Sequence, residues 1–230
     1  EPSIRVTATS TTGKPIGRPL KHQGAVYYSS FGPNGNLVAT DSADRTARIW
    51  RTSDGEPVGD PMQHPQTVRG VAFGPDGETI LTGCNDGQAR FWRISDGIQI
   101  GESLVHDNAV FPVVISPDGK LAATGCVDGR VTLWHVGDRK TPKAVFSNRG
   151  IVYGLAFSPD GQHLLSASSD RAARIWKVDD VDPLVRTLEH PSSSTGCGWS
   201  PDGRTIVTSC ADGQVRLWDV ATAAKIGPPV

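Results

Sequence analysis

The chain has 230 residues, 37% of them hydrophobic, and a formal net charge of −1 from 23 basic and 24 acidic side chains. No basic block points to a phosphate-backbone partner and no acidic run to a disordered tail. No apolar stretch approaches the ~18 residues that a membrane span needs.

In chain order, residues 4–22 come first, IRVTAT followed by GKPIGRPL. GKPIGRPL aligns with GEPVGDPM at 55–62 and GIQIGESL at 97–104. Five longer units follow. In the second, VRGVAF (68–73) reads as a strand, PDG (75–77) as a turn and TILTGC (79–84) as a second strand. A tight turn at Asp86-Gly87, the strand QARFWRI (88–94) and a fourth segment, IQIGESLV (98–105), complete it. That fourth segment carries proline elsewhere (Pro19, Pro61, Pro183). Proline lacks the N–H that a central ladder needs, so the segment is expected outermost.

The units are in strict phase. Trp50, Trp92, Trp134, Trp176 and Trp218 recur every 42 residues. Asp44, Asp86, Asp128, Asp170 and Asp212 precede them by six, and Thr40, Thr82, Thr124, Ser166 and Thr208 by ten. His22, His64, His106, Asn148 and His190 precede them by 28. Self-similarity at this period marks a repeat architecture, and four short strands per unit with a polar outer edge describe a propeller blade.

The His–(strand)–PDG–(Ser/Thr)–Asp–Trp pattern resembles the WD40 repeat over nearly the whole chain, although the Trp-Asp pair itself survives only at Trp218-Asp219. The resemblance implies an all-β, WD40-type β-propeller over 1–230. Its expected parts are a half-blade at 1–22 and five complete four-stranded blades at 23–63, 64–105, 106–147, 148–189 and 190–230. The first half-blade lacks its two inner strands. The chain is therefore expected either to be a piece of a longer array or to exchange strands between copies, so that open blade edges allow self-association.

A hydroxyl, a His and an Asp are also the parts of a hydrolase triad. Two arguments favour a structural role. The set recurs in every unit, and the resemblance implies a tetrad in which Asp accepts from His, His meets the Ser/Thr hydroxyl, and the hydroxyl meets the Trp N–H. A buried indole N–H and a buried carboxylate both need partners. Asn148 breaks the pattern in the fourth unit, where lower local stability is expected. Cys84, Cys126, Cys197 and Cys210 lack metal-ligand spacing and read as buried reduced thiols, which suits the cytoplasm. His135 and His163 fall outside the tetrad and read as exposed, and Trp199 aligns with Phe31, Phe73, Ile115 and Phe157 as core. No cofactor and no metal are expected.

Function is then expected on a face. By the resemblance, Tyr27, Arg69, Phe111, Tyr153 and Thr195 open on the narrow top face, and aromatic and Arg side chains suit an interaction hot spot. Gln66, Asn108, Arg149 and Ser192 would surround them, with Asn85 and Ser169 facing outward before the tetrad Asp. The implied function is a non-catalytic scaffold that takes a protein or peptide partner, with neither nucleic acid nor membrane. The alternative, from likeness to bacterial WD40 arrays, is a regulatory or sensor domain acting in cis on a fused Ser/Thr kinase or NTPase. An enzyme built on the propeller has least support, since no Gly-rich phosphate loop or isolated acid–base pair is present.

Overall fold

A computed structural model describes residues 6–9, 15–180 and 182–229. Its regular structure among the described residues is entirely β-strand. The chain divides into two compact units, Glu1–Ile115 and Ser116–Val230.

In the first unit, β1 (Val6–Thr9) and β2 (Pro15–Leu20) form an antiparallel pair. β3 (Val26–Phe31), β4 (Leu37–Ser42), β5 (Thr46–Arg51) and β6 (Met62–Gln63) make a sheet in chain order. β7 (Val68–Phe73), β8 (Thr79–Cys84), β9 (Gln88–Arg93) and β10 (Leu104–Val105) repeat it. β11 (Val110–Ile115), the first strand of the third repeat, packs on β7 and β8. In the second unit, β12 (Leu121–Cys126), β13 (Arg130–His135) and β14 (Pro142–Ser147) are neighbours in that order. β15 (Val152–Phe157), β16 (His163–Ser168), β17 (Ala172–Lys177) and β18 (Leu184–Glu189) form a four-stranded sheet. β19 (Ser194–Trp199), β20 (Thr205–Cys210) and β21 (Val215–Asp219) form the last.

The proline-bearing fourth segments lie outermost. In the first, second and fifth repeats they also meet the Trp strand through an isolated bridge, Trp50 with Pro57, Trp92 with Gln99 and Trp218 with Lys225. The first turn of each repeat is closed by its Asn or Asp. Asp76 Oδ1 accepts from the Glu78 N–H at 2.9 Å, and Asp118, Asp160 and Asp202 repeat the bond at 3.0–3.1 Å. The glycine that follows sits at φ 68–73°, a left-handed conformation that disfavours a side chain.

Successive sheets pack face to face within each unit. Ala39, Ala47, Ile49 and Met62 of the first repeat meet Val68, Val71, Ile80 and Trp92 of the second. Leu165, Ala173, Ile175 and Leu188 of the fourth meet Ile206 and Trp218 of the fifth, with Cys197 and Trp199 against them. The β4-type strands are therefore buried on both faces, which explains why they read as runs of small apolar residues rather than as alternations. The fifth repeat differs. Val207, Val215 and Leu217 are 38–40% exposed, whereas their counterparts in the other repeats, such as Leu81, Ala89 and Phe91, are buried. His163, expected to be exposed, is half-buried with its ring centroid 6.3 Å from that of Trp199. His135 is exposed.

Candidate functional site

The tetrad residues form hydrogen-bonded chains, though not one uniform set. In the first repeat the chain is complete. Trp50 Nε1–H donates to Thr40 Oγ1 at 2.8 Å, Thr40 lies 2.7 Å from His22 Nε2, and His22 Nδ1 lies 3.0 Å from Asp44 Oδ2. In the second repeat Trp92, Thr82 and His64 keep the same links at 2.8 Å. Here, however, the expected Asp–His link is replaced. Arg90 takes both Asp86 oxygens, at 3.1 and 2.6 Å, and His64 Nδ1–H donates to the Met62 carbonyl at 3.0 Å. The fifth repeat follows the second: Arg216 holds Asp212, while His190 bonds the Leu188 carbonyl and Thr208, which accepts from Trp218.

The physical reason is competition for one carboxylate. A guanidinium four residues on offers a two-pronged, charge-assisted bond that a neutral imidazole cannot match. In the first repeat the Thr46 hydroxyl donates to Asp44 at 2.6 Å and draws Arg48 to itself at 3.3 Å, leaving Asp44 Oδ2 for His22. Burial alone would raise Asp44 and Asp86, but the Thr46 and Gln23 donors on the first and Arg90 on the second hold both below the ordinary carboxylate range. In the fourth repeat Asn148 Oδ1 accepts from Ser166 at 3.2 Å and from Arg174 at 2.9 Å. Arg174 also holds Asp170 at 2.7 Å, and Trp176 donates to Ser166 at 2.8 Å. In the third, Trp134 donates to Thr124 at 3.0 Å and Asp128 lies 3.8 Å from Arg130.

Every one of these hydroxyls is wholly buried. Each one in the first, second, fourth and fifth repeats is held between an indole N–H and a His or Asn, so it is a brace rather than an exposed nucleophile.

The expected interaction residues are gathered in part. Tyr27, Arg69 and Phe111 come together: the Arg69 guanidinium carbon lies 3.9 Å from the Tyr27 ring centroid and 5.2 Å from that of Phe111. Two glycines permit this. A Cβ on Gly70 would fall 2.1 Å from the Phe111 carbonyl oxygen and one on Gly83 2.8 Å from it, so β11 can approach only because both are absent. The first repeat has Tyr28 and Asp41 where the second has Gly70 and Gly83. Asp41 Oδ1 accepts from the backbone N–H of Tyr27 at 3.2 Å and of Tyr28 at 2.9 Å, across the register shift of β3. Its Oδ2 is buried without a partner among the described residues, and so is Arg69 Nε. Burial pushes Asp41 up to about 7, against the two N–H donors and the Arg69 charge.

Asp41 was not among the expected site residues. Its signal lay in the sequence, since nine residues before the Trp the other repeats have Gly83, Gly125, Ala167 and Ser209. Tyr153 is half-buried and Thr195 exposed, in the second unit, the Thr195 hydroxyl lying 3.1 Å from that of Ser209. Asn85, expected to face outward, is half-buried with Oδ1 buried and unpartnered, and its N–H donates to the Thr67 carbonyl. Ser169 and Ser192 are half-buried, while Gln66, Asn108 and Arg149 are exposed. Among the described residues no three His, Cys, Asp or Glu side chains are grouped to hold a metal ion, and no helix is long and apolar enough to cross a membrane.

Repeated four-stranded antiparallel sheets, each braced by a Trp–hydroxyl chain, define a β-propeller of the WD40 type. The WD40 family model (WD domain, G-beta repeat) matches residues 13–51, 55–93, 102–135, 140–177 and 182–219. The chain belongs to that family, whose repeats typically mediate protein–protein interaction and are generally non-catalytic. No curated protein matches the chain as a relative.

Proposed function

We propose that the protein is a non-catalytic interaction module that takes a peptide segment or folded protein on the innermost-strand side chains Tyr27, Arg69 and Phe111. Tyr153 and Thr195 hold the equivalent positions in later repeats. The observation that carries this reading is the Tyr27–Arg69–Phe111 stack, which presents partly exposed aromatic and guanidinium surface on a rigid sheet scaffold. Four free cysteines suit a reducing compartment such as the cytoplasm. The test is calorimetry with display-selected peptides on the full chain. Tyr27→Ala and Phe111→Ala should each weaken binding about tenfold or more with the melting temperature preserved. Unchanged affinities would remove the stack from the binding surface.

A second reading, self-association through a sheet face, is favoured by the exposed Val207, Val215 and Leu217.

A further inference from the structure

We propose that the edge of the Arg69 guanidinium is the docking point for one carboxylate of an acidic peptide partner, with Tyr27 and Phe111 holding the group and Asp41 anchoring the first of these walls. The proposal rests on the reading of the Tyr27–Arg69–Phe111 stack as the binding surface. The guanidinium is held by cation–π contact with two rings, its carbon 3.9 and 5.2 Å from their centroids. What it still offers is the outer rim of its N–H donors; the Nε–H behind them is buried and has no acceptor among the described residues. A planar fork of donors fits a planar carboxylate bidentately.

Asp41 is the second, independent observation. Packing of the repeat does not require it, because the other repeats have Gly, Gly, Ala and Ser there. Burying a carboxylate with one unpartnered oxygen is costly. What Asp41 does is hold the Tyr27 and Tyr28 N–H groups, and thereby the backbone that carries the Tyr27 ring. When ionised it also offsets part of the Arg69 charge, which weighs more heavily against a phosphate dianion than against a singly charged carboxylate.

Around Asp41, Tyr27 and Tyr28 come from β3, Ala47 sits across from it on β5, and Arg69 comes from β7. With Asp41 ionised, part of the Arg69 charge is already met, so docking should strengthen as Asp41 gains its proton.

The test pairs peptide-display selection against the full chain with calorimetry of the selected peptides as synthetic dodecamers. Wild-type protein should enrich peptides with an Asp or Glu at one fixed position. Affinity should fall about tenfold or more on Arg69→Gln, and equally on converting that peptide acid to its amide, with no further loss when both changes are combined. Arg69→Lys should restore only part of the loss. Binding should tighten several-fold from pH 8 to pH 6, and Asp41→Asn should give tight binding at both. Melting curves confirm that each variant is folded.

Peptides that lack an acid, or that ignore Arg69→Gln while still weakened by Tyr27→Ala, overturn the carboxylate assignment and leave the interaction surface standing. Phosphoserine in place of the acid binding more tightly than the carboxylate also overturns it. Peptides indifferent to both Tyr27→Ala and Phe111→Ala, or no enrichment at all, overturn both readings.

Discussion

Arg90 holds Asp86 away from His64. The two guanidinium bonds, at 3.1 and 2.6 Å, occupy the carboxylate, and His64 turns its Nδ1–H to the Met62 carbonyl. Both side chains of the ion pair are only 9% exposed. Asp86→Asn should therefore strand a buried guanidinium and lower stability by about 3 kcal/mol in urea unfolding. The exposed pair Arg51–Asp54 is the control, and Asp54→Asn should leave the urea midpoint unchanged. Equal effects at the two sites would show that burial of the pair has no energetic consequence.

Thr82 is the node of the second repeat, wholly buried, accepting from Trp92 and bonded to His64. Thr82→Val keeps the shape and removes the oxygen, leaving an indole N–H and an imidazole nitrogen buried and unpaired. The expected loss is about 2–3 kcal/mol, read from chemical unfolding. A loss below half that would mean water reaches the two groups.

The 42-residue phase made the repeats and their strands legible, because Trp, Asp and the Pro-Asp-Gly turn are fixed by local geometry that recurs. The partner of each Asp was not legible from that phase. It depends on the residues two and four before the Trp, Arg48 and Thr46 in the first repeat against Arg90 and Gln88 in the second, which compete for the carboxylate in space. The clamp at Arg69 was half legible. Its residue types stood out, but Asp41 shows only on comparing a position where the other repeats carry small residues. The half-burial of Asn85 was not legible either, because it follows from its turn folding against Thr67.

Burial moves His64 down to about 4, against the pull of the Met62 carbonyl. The unfolded chain has the ordinary value, near 6.5. A folded-state pKa below the unfolded one means that protons favour unfolding. The contribution is intact above about pH 6.5 and is lost as pH falls from there toward 4. At full extent it amounts to about 3 kcal/mol. His22 and His190 are lowered by burial too, so they act with the same sign. Asp41, raised by burial, acts with the opposite sign over the same range, so the His64 share is read by difference. From pH 7 to pH 5 the urea midpoint of the wild type should fall relative to that of His64→Asn, the side chain that Asn148 supplies in the fourth repeat.

Val215 and Leu217 are exposed where Ala89 and Phe91 are buried. If this face associates, light scattering after gel filtration should show mass rising with concentration. Val215→Ser with Leu217→Asp should hold the protein at monomer mass with an unchanged melting temperature. A concentration-independent mass for the wild type would end the self-association reading.

Gly70 links the sheet packing to the clamp. Its missing Cβ would stand 2.1 Å from the Phe111 carbonyl oxygen and 3.2 Å from Val113 N, both backbone atoms that no side-chain rotation can clear. Gly70→Ala must push β11 outward, at a cost of about 3 kcal/mol. Gly77→Ala is the contrast: its left-handed φ of 68° is mildly strained by a side chain, but the nearest neighbours, Pro33 atoms, lie at 3.7 Å or beyond. It should cost about 1 kcal/mol. Displacing β11 also withdraws the Phe111 ring from Arg69. The Arg69 side-chain protons, shifted upfield in NMR spectra by two rings, should move partway back toward ordinary values in Gly70→Ala and in Phe111→Ala alike, and stay in place in Gly77→Ala. Shifts that survive Gly70→Ala would mean that the clamp does not depend on the close approach of β11.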